Sequence, residues 1–270
     1  MTAKKVAMEP STETVLSELR DNVLLVTLNR PQARNSLSTT LMAELGRTLD
    51  RAAEPGIGAV VITGTGPVFC AGADLRDAKG RDPARMLRYH FNPLVLRIAE
   101  LDKPLVTAIN GPAYGAGVAL ALSGDIRLAG AAATFTPRFV QLGYTPDVGG
   151  SYFVNRLLGP GRSLDWFLTG RKVSATEAQS WGLVSEVLPD EDLLTRAVGV
   201  ASELAALPGR VAVLTRQLLC AAAGNDLGAQ LETEVRTQLA NIASHTVKDA
   251  HANTRAGEQQ LAEAKNLSTA

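Results

Sequence analysis

The chain has 270 residues, 46% of them apolar, and its 27 basic side chains balance 27 acidic ones. A net charge of zero excludes a general polyanion-binding surface, so no nucleic-acid partner is expected. Two distant cysteines, Cys70 and Cys220, exclude a disulfide scaffold, and three histidines (His90, His245, His251) show no metal-ligand spacing.

In chain order, the segment 1–18 is polar and reads as a loose arm or an edge strand. It has no apolar signal region, and no later run is long enough to span a bilayer, so a cytoplasmic protein without a membrane partner is expected. Residues 23–28 form a first apolar strand. Ser38 reads as the N-cap of a helix carrying Leu41, Leu45 and Leu49, which Pro55 and Gly56 end. Strands follow at 59–63 and 105–109, with a helix over about 83–100 between them. A short helix is predicted over 117–123, and short strands over 126–129 and 134–136. Alternating strands and helices, with strands apolar throughout, predict an α/β fold whose parallel sheet is covered on both faces. From about residue 191 the pattern turns helical, over 193–207, 210–223, 227–243 and 246–263. The expected division is therefore a core over 1–190 and a helical region over 191–270.

Two of the predicted strands run into loops dense in Gly and Ala, at 64–75 and 110–120. Small residues let the backbone approach a ligand closely. Two amides pointed at one carbonyl oxygen form an oxyanion hole. Other glycine chemistries fit poorly. Gly115-Ala-Gly117 has Leu120 where a dinucleotide fingerprint needs Gly or Ala, and Gly64-Thr-Gly66 lacks the P-loop ending. There is no Gly-x-Ser-x-Gly nucleophile elbow, and Cys70 reads as small packing.

The two loops, in this order and at this separation, resemble the crotonase superfamily, also called enoyl-CoA hydratase/isomerase. Further landmarks are Asn29-Arg-Pro, the segment 33–37, Asp125-Ile-Arg-Leu-Ala129, Gly143-x-x-Pro146-Asp-x-Gly-Gly150, Leu168-Thr-Gly170 and Ala178-x-x-Trp-Gly-Leu-Val184. The resemblance implies a spiral of ββα units and a helical C-terminal trimerisation region. It also implies a homotrimer or a hexamer, and acyl-CoA thioester substrates. Coenzyme A is then part of the substrate and no separate cofactor is required. By the same resemblance the oxyanion amides belong to Ala73 and Ala116. Ala33 and Arg34, with Ala71, Asp74 and Leu75, are implied as coenzyme A contacts, and Asp74 also as a brace for its loop.

Two positions depart from the family. Its hydratases carry two glutamates where this chain has Ala119 and Phe139, neither of which transfers a proton. One acid remains, Asp147, in a slot where some relatives that move double bonds carry a carboxylate. Two readings of Asp147 stay open: a proton shuttle, or the N-cap of the glycine-started helix that follows. A helix N-terminus lowers a carboxyl pKa and apolar neighbours raise it. The leading expectation is an enoyl-CoA double-bond isomerase. The alternatives are an enoyl-CoA hydratase of fatty-acid β-oxidation and an acyl-CoA binding protein without catalysis.

Overall fold

A computed structural model describes residues 13–243. The predicted helix over 246–263 and most of the N-terminal arm lie outside the described residues. Val15–Arg20 (β1) pairs antiparallel with Val23–Leu28 (β2) at one edge of a six-stranded sheet. Ala59–Gly64 (β3), Leu105–Ile109 (β4), Ile126–Gly130 (β6) and Glu186–Leu188 (β9) then add in sequence order, each parallel to the last. Every new strand joins the same growing edge, which is the staircase expected of a spiral α/β fold. The register sets Val26 opposite Ile62, Ile62 opposite Thr107, and Thr107 opposite Arg127. β2, β3 and β4 are buried almost end to end, so their unbroken apolar runs reflect cover on both faces. β1 is largely exposed, as an edge strand.

Ala113–Tyr114 (β5), Thr134–Thr136 (β7) and Val173–Ser174 (β8) make a second, three-stranded sheet. The helix Thr39–Asp50 (α1) starts where expected: Ser38 accepts from the Leu41 amide at 3.2 Å, and Leu41, Leu45 and Leu49 are buried. Leu75–Ala78 (α2) is a single turn. The predicted helix over 83–100 consists of Pro83–Met86 (α3), a π-helical turn over Leu87–Phe91, and Asn92–Ala99 (α4). Ala116–Leu122 (α5) is wholly buried. Gly150–Thr169 (α6) is broken at Gly159, whose φ of 70° and ψ of 173° are not helical. Ala175–Ser180 (α7) and Leu193–Ala205 (α8) follow.

The described residues divide into two compact units, the first ending at Ser202 and the second starting at Glu203. The first unit has one continuous apolar core that includes Trp166, Phe69 and Phe135. In the second unit, Val211–Ala222 (α9) and Leu227–Ala243 (α10) pack together. Gln230 ties the pair by donating to the Leu218 carbonyl at 3.2 Å. No helix among the described residues is long and apolar enough to cross a membrane.

Candidate active site

Three chain segments are laced together ahead of α2 and α5. The loop after β2 supplies Arg34 and Leu37, whose carbonyls accept from the Ala71 and Asp74 amides at 2.9 and 3.1 Å. The Leu37 amide returns a bond to the Gly72 carbonyl at 2.8 Å. On its other side the loop after β3 bridges β5, with Cys70 opposite Ala113. The Tyr114 amide donates to the Cys70 carbonyl at 3.0 Å. Three residues beyond the bridged pair stand Ala73 and Ala116.

The amides around Ala73 are already used. Ala71 and Asp74 donate as described, and the Gly72 amide bonds the Cys70 thiol. Among the described residues the Ala73 amide donates to nothing. Ala116 opens α5, where first-turn amides have no helical partner, and its amide is likewise unused. Glycine brings the two together. A Cβ on Gly72, whose φ is +89°, would lie 2.6 Å from the Tyr114 carbonyl oxygen and 3.3 Å from the Ala116 nitrogen. Gly117 backs onto Cys70 so closely that a Cβ would meet its carbonyl oxygen at 2.2 Å. Two unengaged donors thus stand on adjacent, mutually fixed loops.

Side chains that the sequence pattern did not assign hold this frame. Asn35 is fully buried in left-handed backbone, φ 54°. Its amide donates to the Thr65 and Val68 carbonyls at 3.0 and 2.7 Å, and its oxygen accepts from the Arg30 amide. Asn110 mirrors it from the second loop, accepting from the Gly64 amide at 3.0 Å and donating to the Gly66 carbonyl at 2.8 Å. Asn tolerates positive φ and mimics backbone turns, so an Asn beside each glycine-rich loop was the available signal.

Asp74 caps α2, accepting from the Arg76 and Asp77 amides, and pairs with Arg30 at 2.9 Å. Burial opposes its ionisation, but the Arg30 bond and the two amides hold its carboxyl below the usual range. Ala33 ends a 3-10 turn and Arg34 follows in left-handed backbone with its side chain exposed. Leu75 is exposed at the start of α2. Ala33, Arg34, Ala71, Ala73, Asp74, Leu75 and Ala116 therefore share one neighbourhood. Cys70 lies inside the core with its thiol pushed up to about 12 by burial, which leaves no thiolate for chemistry.

Asp147 arrives on a separate turn. Its carbonyl accepts from the Gly150 amide at 2.8 Å, closing a turn over Val148 and Gly149. The N-cap of α6 is Gly149, with no side-chain bond, so the carboxyl of Asp147 does not cap this helix. The next residue, Val148, lines an apolar crevice with Leu37, Val95, Ala119 and Phe153. That crevice encloses about 10 Å³, room for one water at most. Phe139 is stacked on Phe167 with ring centroids 6.2 Å apart. A Cβ on Gly150 would touch Phe167, Ala119 and Phe139 at 3.6–3.9 Å. Burial here raises the Asp147 pKa to about 6, against a weaker bond from its own amide. Of the two opposed effects expected at this position, desolvation wins.

A larger concavity of about 500 Å³ lies in the second unit, between α9 and α10 around Leu218, Val235 and Leu239. Its walls are helix interiors whose amides are engaged in helical bonds, so it offers an oxyanion nothing. Among the described residues no cluster of His, Cys, Asp and Glu has metal-binding geometry.

Comparisons with known proteins point to one family. The family model for enoyl-CoA hydratase/isomerase matches residues 18–265. The 1,2-epoxyphenylacetyl-CoA isomerase of Escherichia coli K12 is 37% identical over 229 residues, covering 82% of this chain and 87% of that protein. The 2,3-dehydroadipyl-CoA hydratase of the same organism is 40% identical over 187 residues, covering 69% and 73%. The crystal structure of an enoyl-CoA hydratase from Bacillus anthracis superposes with a TM-score of 0.80 at 32% identity, covering 85% of this chain and 91% of that one.

Proposed function

The chain belongs to the enoyl-CoA hydratase/isomerase family of enzymes, and from that premise we propose that it is an enoyl-CoA double-bond isomerase in which Asp147 carries the proton. The observation that carries the reading is the replacement of both hydratase acids by buried Ala119 and Phe139, while a desolvated Asp147 sits on the turn that enters their apolar surroundings.

The step balances without a further reactant. The Asp147 carboxylate removes a proton from the α-carbon of a 3-enoyl thioester. The C–H electron pair forms the enolate, whose charge collects on the thioester oxygen. The Ala73 and Ala116 amides bond that oxygen, each contributing on the order of 3 kcal/mol to the barrier reduction. The protonated Asp147 then delivers its proton to the γ-carbon, and the enolate electrons return to leave a 2-enoyl thioester. A carboxyl near pKa 6 suits both halves, because it is ionised at neutral pH yet basic enough to take the proton. Hydration would need a second group to activate water, which neither Ala119 nor Phe139 supplies.

Coenzyme A enters as part of the substrate, and the reaction as written consumes no cofactor. Its contacts are assigned to Ala33, Arg34, Ala71, Asp74 and Leu75, with the exposed Arg34 guanidinium pairing phosphate. A cytoplasmic homotrimer or a dimer of trimers completes the proposal. Its support is the exposed apolar row Leu227, Leu231, Val235, Leu239 and Ile242 along α10. The test is product identification with a 3-enoyl-CoA and with crotonyl-CoA. Isomerisation of the first with little hydration of the second is expected, and loss of isomerisation in Asp147→Asn with coenzyme A ester binding retained. Hydration of crotonyl-CoA as the dominant activity would favour the hydratase reading. Thioester binding without any turnover would favour the non-catalytic one.

A further inference from the structure

The turn that carries Asp147 is built against the preference of its own sequence. Val148 has φ +53° and Gly149 has φ +76° and ψ 4°, and the turn closes from the Gly150 amide to the Asp147 carbonyl at 2.8 Å. Two positive φ angles inside such a closure are type I′ geometry, which favours Asn-Gly or Gly-Gly. Gly149 conforms and Val148 does not. Four non-glycine residues among the described ones have positive φ, and Val148 is the β-branched one. A β-branched side chain crowds the backbone in that region.

Val148 compensates by burial. It is 5% exposed and faces Leu37 ahead of α1, Val95 of α4, Ala119 of α5 and Phe153 of α6. None of these groups carries a charge. The polar side chain at the crevice, Ser123, already donates to the Leu120 carbonyl at 2.8 Å. Neither Asn nor Gly would fill the space with an apolar group. Strained backbone that persists because surrounding packing fixes it is a common device at functional sites.

We propose that Val148 is a positioning residue: its buried side chain anchors a strained turn, and that anchor keeps the neighbouring Asp147 partly buried instead of in bulk water. The role in catalysis rests on the proton-shuttle reading of Asp147; the anchoring itself does not.

The test titrates protein labelled with ¹³C at the aspartate carboxyls and followed by NMR, with the Asp147 resonance assigned by its absence in Asp147→Asn. The wild-type signal is expected to titrate near 6. In Val148→Gly, unstrained but without the anchor, it should move toward the ordinary range near 4. With a 3-enoyl-CoA, kcat should fall at least about tenfold and KM stay within about twofold, the signature of a misplaced group rather than a lost binding contact. Val148→Ile keeps the anchor and should retain the wild-type titration and kcat. Should Val148→Gly fail to fold, Val148→Ala removes most of the anchor and is read the same way. An unchanged Asp147 titration and kcat in the Gly or Ala variant would overturn the proposal. Full activity in Asp147→Asn would instead remove the shuttle reading, whatever the Val148 variants do.

Discussion

The two halves of the proposed site are built on opposite principles. The loops around Ala73 and Ala116 present main-chain donors, are relaxed by glycine wherever φ is positive, and are cross-bonded to neighbouring segments with Asn35 and Asn110 as braces. The Asp147 turn depends on side chains, strained at a valine and buried against apolar groups. Holding charge requires fixed dipoles, and backbone hydrogen-bond ladders fix dipoles cheaply. Moving a proton requires a carboxyl lifted from its ordinary pKa, which means withdrawing it from water at a cost in stability. Frame and shuttle therefore respond differently to mutation.

The largest effect should come from removing the shuttle. Asp147→Asn should lower isomerase kcat by about 10³-fold or more, with little change in coenzyme A ester affinity by calorimetry. The frame should break through its glycines rather than its alanines. A methyl on Gly117 would meet the Cys70 carbonyl oxygen at 2.2 Å and force the two loops apart. Gly117→Ala should therefore cost about 10²–10³ in kcat, the usual loss of an oxyanion donor. Arg30→Ala strips Asp74 of its guanidinium partner while the two amides remain. About 2–3 kcal/mol of stability should go, read by denaturant melts, with a smaller loss of activity.

The smallest effect has the opposite sign. Folding raises the Asp147 pKa to about 6, so the native state disfavours the ionised carboxyl relative to the unfolded chain. Its contribution to stability is fully present below the unfolded pKa near 4, is lost as pH rises to about 6, and stays lost above that. After allowance for partial solvent screening, Asp147→Asn should be about 1–2 kcal/mol more stable than wild type at pH 7, with the gap closing by pH 4. Parallel urea titrations at pH 4 and pH 7 would read it. A variant that is more stable and inactive would mark Asp147 as placed for chemistry rather than for folding.

The contrast between frame and shuttle also governs what the sequence reveals. The apolar runs at 23–28, 59–63 and 105–109 read directly as buried strands, because cover on both faces removes any polar alternation. Ser38 announced α1, and the Gly/Ala density of the two loops announced close backbone approach. The Asp147 turn gave no such sign. A valine stands where turn chemistry asks for Asn or Gly, and only its tertiary neighbours explain it. For the same reason the pKa of Asp147 was open until burial could be set against helix position. The break at Gly159 and the two-residue strands β5 and β8 of the second sheet were also hidden, since such short elements lack a period to read.

Hydrogen exchange at the substrate α-carbon tests the shared site most directly. A 3-enoyl-CoA dideuterated at C2 and turned over in light water by the wild-type enzyme should lose one deuterium from C2 and carry it to C4 of the product, except where the protonated Asp147 exchanges with solvent; with Asp147→Asn both C2 deuterons should stay in place. Loss of the C2 label with the Asn variant at the wild-type rate would contradict the assignment of the proton to Asp147, and retention of both C2 deuterons by the wild type would contradict the enolate itself.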